Sequence, residues 1–83
     1  MMFLKNESDN KFFDVSTEEF RIYEFPNKEI VKIYEPVAVS VNKESGSHRI
    51  LDNNGISHYI PSGWIHLFWK AKEGKPHFVK CNL

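Results

Sequence analysis

From Glu19 onward apolar side chains recur at every second position, and a glycine, proline or asparagine soon interrupts each run. A period of two marks a strand with one buried face, and such short runs leave no length for the crossovers of a parallel sheet. The pattern therefore predicts an all-β fold: a small antiparallel meander of about six to seven short strands, rolled into a barrel or folded as a small sandwich. The predicted strands are Phe20–Phe25, Glu29–Tyr34, Val37–Asn42, Arg49–Leu51, Ile56–Ile60, Trp64–Ala71 and a last one near His77–Cys81. Val37–Asn42 is the cleanest, with its valines on one side and small or polar residues on the other.

Turn chemistry sets the boundaries. Asn54-Gly55 accepts the positive φ angles of a type I′ hairpin turn, and Glu73-Gly74 offers a second tight turn. Pro61-Ser62-Gly63 divides the aromatic-rich stretch Gly55–Ala71 into the two arms of a central hairpin. Residues 1–15 read as a loosely held leader, polar from Lys5 to Lys11, with Phe12 and Phe13 as anchors; residues 16–83 form a single domain. Ser16-Thr17-Glu18-Glu19 fits a helix capping box, but the alternation and Pro26 leave room for one N-terminal helical turn at most.

A chain of 83 residues supports one modest core and no deep catalytic cleft. Eleven basic residues balance eleven acidic ones, which gives no overall pull towards nucleic acid or an anionic membrane. The two halves differ: residues 1–41 carry five Lys/Arg against eight Asp/Glu, and residues 42–83 carry six against three, so the halves attract each other within one fold. The single cysteine, Cys81, excludes an intramolecular disulfide and suits a reducing compartment. Met1 to Leu4 is too short for a signal-peptide core and no apolar run approaches bilayer length, so the expected location is cytoplasmic, with no membrane partner.

Register turns the strands into faces. A three-residue turn at 61–63 sets Ile60 opposite Trp64 and His58 opposite His66; a two-residue turn at 73–74 sets Trp69 opposite Phe78 and His66 opposite Cys81. One face then holds Ile50, Tyr59, Ile65, Leu67, Trp69 and Phe78, an apolar set that predicts the core. The opposite face holds Trp64 and Phe68 with Ile56 and Ile60, flanked by His58, His66 and Arg49. More apolar surface lies there than one core needs, so Trp64, Phe68, His66, His58 and Arg49 are the candidate binding residues.

His58, His66 and Cys81 carry the side chains of a zinc site, but on three adjacent strands the outer two stand roughly 10 Å apart, too far for bonds of about 2.0–2.3 Å. As a cysteine–histidine nucleophile the same residues lack an orienting third group. No Gly-x-Ser-x-Gly or phosphate-binding glycine loop occurs. The expectation is a non-enzyme with no catalytic residues, no metal and no cofactor.

Tyr59-Ile60-Pro61-Ser62-Gly63-Trp64-Ile65 resembles the segment near the end of SH3 domains that runs aromatic or apolar, Ile/Val-Pro-Ser-Asn-Tyr-Val. The resemblance covers seven residues and lacks that family's N-terminal Ala-Leu-Tyr-Asp-Tyr signature. It implies an SH3-like barrel in which Pro61 and Trp64 line a groove for proline-rich peptides. These readings converge on a small non-enzymatic accessory module of the phage or mobile-element kind, acting through a protein partner or self-association. The alternative is weak single-stranded nucleic-acid binding, with Trp64 and Phe68 stacking bases beside Arg49 and Lys70.

Overall fold

The computed structural model describes residues 12–78, and among them the fold is all-β with no helix. The strands are β1 (Phe12–Asp14), β2 (Glu18–Glu24), β3 (Ile30–Tyr34), β4 (Pro36–Val41), β5 (His48–Asp52), β6 (Ser57–Ile60) and β7 (His66–Ala71). They form two antiparallel sheets, one four-stranded in the order β1-β4-β5-β6 and one three-stranded in the order β3-β2-β7. The sheets share one core of Val15, Tyr23, Ile33, Val39, Ile50 and Ile60. They do not close into a barrel, so the rolled barrel expected from the sequence is not the arrangement observed among the described residues.

Local chemistry explains the three hairpins. Between β5 and β6, Asp52 N–H donates to the Ile56 carbonyl at 2.9 Å and Gly55 N–H donates to the Asp52 carbonyl at 3.0 Å. The loop is thus Asn53-Asn54-Gly55, a type I turn followed by a left-handed glycine (φ 80°), and not the two-residue type I′ turn predicted. The Asp52 side chain fixes this choice: its Oδ1 accepts the N–H groups of Asn54 and Ile56. Asn42 caps the β4–β5 loop in the same manner, accepting from Glu44 and Ser45 while Gly46 takes the left-handed position. The β2–β3 loop repeats the type I pattern over Pro26 and Asn27, but its left-handed position is held by Lys28 (φ 72°). A side chain is strained there, so Lys28→Gly is expected to raise the unfolding free energy by about 0.5–1 kcal/mol in urea titrations. An unchanged or lower midpoint would show that the turn bears no such strain.

Three connections carry the chain between sheets. Residues 15–17 lead from β1 to β2, and the capping-box residues Ser16 and Thr17 form a turn there instead of starting a helix. Glu35 alone joins β3 to β4; its left-handed φ of 50° redirects the chain, and its N–H and C=O bond Glu19 and Asn53. Segment 61–65 leads from β6 to β7, and Ile65 N–H is captured by the carbonyl of Glu24, the last residue of β2, at 2.8 Å. The predicted β6–β7 hairpin is therefore absent: β6 pairs with β5, and β7 pairs with β2.

These pairings correct the predicted faces. Ile50 and Leu67 face the core as expected, joined by Ile60 and Trp64, which the predicted register puts on the opposite side. Tyr59, Ile65 and Phe78, expected inside, are 62%, 71% and 78% exposed. Trp69 does meet Phe78, edge to face at 5.8 Å, although His77 and Phe78 lie outside any strand. Phe12–Asp14, assigned to the leader, is an edge strand paired with β4, and Phe13 packs on the core. Residues 79–81 of the predicted last strand lie outside the described residues.

Candidate functional site

The outer face of the four-stranded sheet is not flat. Phe12, Ser40, Arg49 and Tyr59 stand in one row across β1, β4, β5 and β6, and Asp14, Ala38, Leu51 and Ser57 stand in the next. Rings rise at the two edges of the first row, and small side chains at Ser40, Ala38 and Ser57 leave the floor low between them. At a strand spacing of roughly 4.8 Å the two rings are about 14 Å apart. The resulting groove encloses about 460 Å³, within the range of roughly 300–1,000 Å³ seen for binding pockets. Phe12, Leu51 and Tyr59, three of the exposed large apolar residues, all line it, and Arg49 places a cation beside them.

Behind this sheet lies a buried polar chain. Glu18 accepts two hydrogen bonds from Arg21, at 2.9 Å from Nε and 2.8 Å from Nη2, with both residues buried. Arg21 Nη1 donates to the Tyr23 hydroxyl at 3.2 Å, and Tyr23 Oη lies 2.6 Å from His48 Nδ1. Because Arg21 can only donate, the phenolic proton is left to point at Nδ1, which fixes His48 as the neutral tautomer protonated at Nε2. Burial works against the charge on Arg21, but its bonds to Glu18 and Tyr23 outweigh that and leave its pKa raised. Burial, assisted by the nearby Arg21 charge, pushes His48 down to about 4. Trp64 closes the chain, edge-on to both Tyr23 and His48 at 5.0 and 4.6 Å. Trp69 covers the Glu18–Arg21 pair: Arg21 lies 5.5 Å from its ring centroid, and its Nε1 donates to the His77 carbonyl at 2.8 Å.

The sequence-predicted site residues are thus divided among three places. Arg49 stands in the groove. His58 borders it, but its register with Ile50 turns its side chain to the core-facing side of the sheet, where Nε2 is held 2.8 Å from Asp52; that bond is the foremost cause of the lowered Asp52 pKa. His66 and Phe68 stack at 4.8 Å on the outer face of the other sheet, with His66 Nδ1 2.9 Å from Glu24. Trp64 belongs to the core. His58 and His66 lie in different sheets, Cys81 is outside the described residues, and no cluster of three metal-type ligands occurs among the described residues. Sequence reasoning missed Phe12 and Tyr59 as groove walls. The alternation of Phe13 and Val15 inward with Phe12 and Asp14 outward was the available signal for the first; the second depended on a turn length. Pro61, expected beside Trp64 in a peptide groove, is exposed on the connection between sheets. No described helix is long and apolar enough to cross a membrane.

No family model matches the chain, and neither a curated protein nor a solved structure matches it.

Proposed function

We propose that this protein is a small non-enzymatic binding module that holds a segment of a partner polypeptide in the groove on its four-stranded sheet. The observation that carries this reading is the convergence of Phe12, Leu51, Tyr59 and Arg49 on one concave surface of about 460 Å³. Aromatic side chains and arginine dominate the energetics of protein contacts, and a sheet backbone holds them in a fixed arrangement. Trp64 serves the core in this reading, so the contact surface is the groove and not the Trp64–Phe68 face. The resemblance to SH3 domains then reduces to an aromatic-walled groove on a small β domain, built here from other residues. The lone cysteine suits a reducing compartment, and we place the module in the cytoplasm.

Panning a random-peptide display library on the purified protein tests this. Selected peptides should bind the double variant Phe12→Ser/Tyr59→Ser at least about tenfold more weakly, while its unfolding free energy stays within about 1 kcal/mol of wild type. Equal affinity for the variant, or selection of single-stranded oligonucleotides but no peptides in a parallel experiment, would overturn the proposal.

A further inference from the structure

The three-stranded sheet has an outer face that the groove does not use, and its side chains form a grid. The registers of β3, β2 and β7 set Tyr34, Phe20 and Lys70 in one row and Lys32, Ile22 and Phe68 in the next. Ile30, Glu24 and His66 make the third. The middle strand supplies an apolar centre at Phe20 and Ile22. On either side of it, each flank combines cation with aromatic: Lys32 and Tyr34 on β3, Lys70 and Phe68 on β7. Tyr34 and Ile30 are 62% and 61% exposed. Lys32 Nζ already lies 4.5 Å from the Phe20 ring and 4.6 Å from the Tyr34 ring, so cation–ring contact is the working chemistry of this face.

We infer that this face pairs with the same face of a second copy of the chain. A face-to-face pair related by a two-fold axis running along β2 superposes β3 of one copy on β7 of the other. That operation sets Tyr34 against Lys70 of the second copy, Lys32 against its Phe68, and Phe20 and Ile22 each against their own counterparts. Every lysine meets a ring. A two-fold axis running across the strands would set Lys32 against Lys32 in the middle row, whereas the first arrangement confines its like-charge pair, Glu24 against Glu24, to the end row, so charge favours the first arrangement. Near-parallel alignment of the facing strands is also the ordinary packing of two twisted sheets. Glu24 meets its counterpart at the rim, where each carboxylate keeps its own His66.

Size sets the strength. Three strands by five residues give a footprint of roughly 14 by 17 Å. Even doubled for side-chain relief, that is well below the ~800 Å² per partner of a stable interface, so the dimer is transient, with Kd on the order of 10⁻⁴ M.

Sedimentation of the purified protein from about 20 µM to about 1 mM tests this. The weight-average mass should climb from 9.8 kDa towards twice that value over this range. Ile22→Glu should remain monomeric throughout. Tyr34→Lys, an exposed change that spares the core, should weaken association about tenfold by facing two lysines, and adding Lys70→Tyr should restore it to within about threefold. Phe12→Ser/Tyr59→Ser should dimerise like wild type, which keeps this result separate from the fate of the groove. A wild-type protein still monomeric at about 1 mM would overturn the inference and leave the face to a different occupant; a dimer that Lys70→Tyr fails to rescue would overturn the two-fold arrangement.

Discussion

Substituting Arg21 by Ala should lower the unfolding free energy by about 3–5 kcal/mol, because it strands the buried Glu18 carboxylate without its cation. The loss is large relative to the whole. Small domains gain roughly 0.05–0.15 kcal/mol per residue, so this single change consumes much of the protein's stability. Three groups are left worse off at once: Glu18 loses a two-point partner, the Tyr23 hydroxyl loses a donor, and Trp69 loses the guanidinium packed on its ring. The double variant Arg21→Met/Glu18→Leu removes both charges and keeps most of the volume, and it should recover well over half of the deficit. Urea denaturation measures both. A single variant within about 1 kcal/mol of wild type would mean that the pair is hydrated and contributes no more than a surface ion pair.

Acidification should produce the second large effect. His48 in the fold protonates near pH 4, whereas an unfolded histidine protonates near 6.5. The folded pKa lies below the unfolded one, so the unfolded chain binds the extra proton first. Stability is therefore complete above about pH 6.5, falls as pH drops towards 4 and levels off below that; because the ring is only partly buried, solvent screening holds the total loss to roughly 1–3 kcal/mol. Geometry gives the same answer: a protonated Nδ1 would face the Tyr23 hydroxyl, already bonded by Arg21, and leave the phenolic proton without an acceptor. Asp14 and Asp52 respond in a lower window. Hydrogen bonds from Ser16 and His58 respectively are the main cause of their lowered pKa values, so their contributions fade only as pH falls below the normal carboxylate range. His48→Gln should flatten the stability profile between pH 6.5 and 4.5 and leave the more acidic limb intact. A wild-type profile already flat across that range would contradict the buried, neutral assignment of His48.

The strands themselves were legible in the sequence because alternation is a local property. Val39 and Ile33 declare their inward direction by their neighbours, and the β4 segment is recovered within a residue at each end. The faces were not legible, because they hang on turn length. A two-residue Asn54-Gly55 loop would set Ile50 opposite Tyr59. The three-residue loop, fixed by the Asp52 side chain, sets Ile50 opposite His58 and sends Tyr59 outward. Strand order was hidden for a different reason. Segment 61–65 has the residues of a hairpin turn, yet it leaves one sheet for the other because Trp64 finds its burial between Tyr23 and His48, residues distant in sequence. The buried Glu18–Arg21–Tyr23–His48 chain was equally invisible: on the page it is a strand with charges and one remote histidine, and only the stacking of two sheets joins them. Of the binding residues expected from the sequence, Arg49 faces the groove because Ile50 beside it points inward, whereas His58, opposite Ile50, turns its side chain to the other side of the sheet.

The most direct measurement is a map of where a selected peptide touches the protein. Titrating that peptide into isotope-labelled protein and following backbone amide shifts should move Ser40, Arg49, Leu51, Ser57 and Tyr59, the outer rows of β4, β5 and β6. His66 and Phe68 on β7 should remain in place. Shifts concentrated on His66–Lys70 with β5 and β6 unmoved would contradict the account and return the contact surface to the three-stranded sheet.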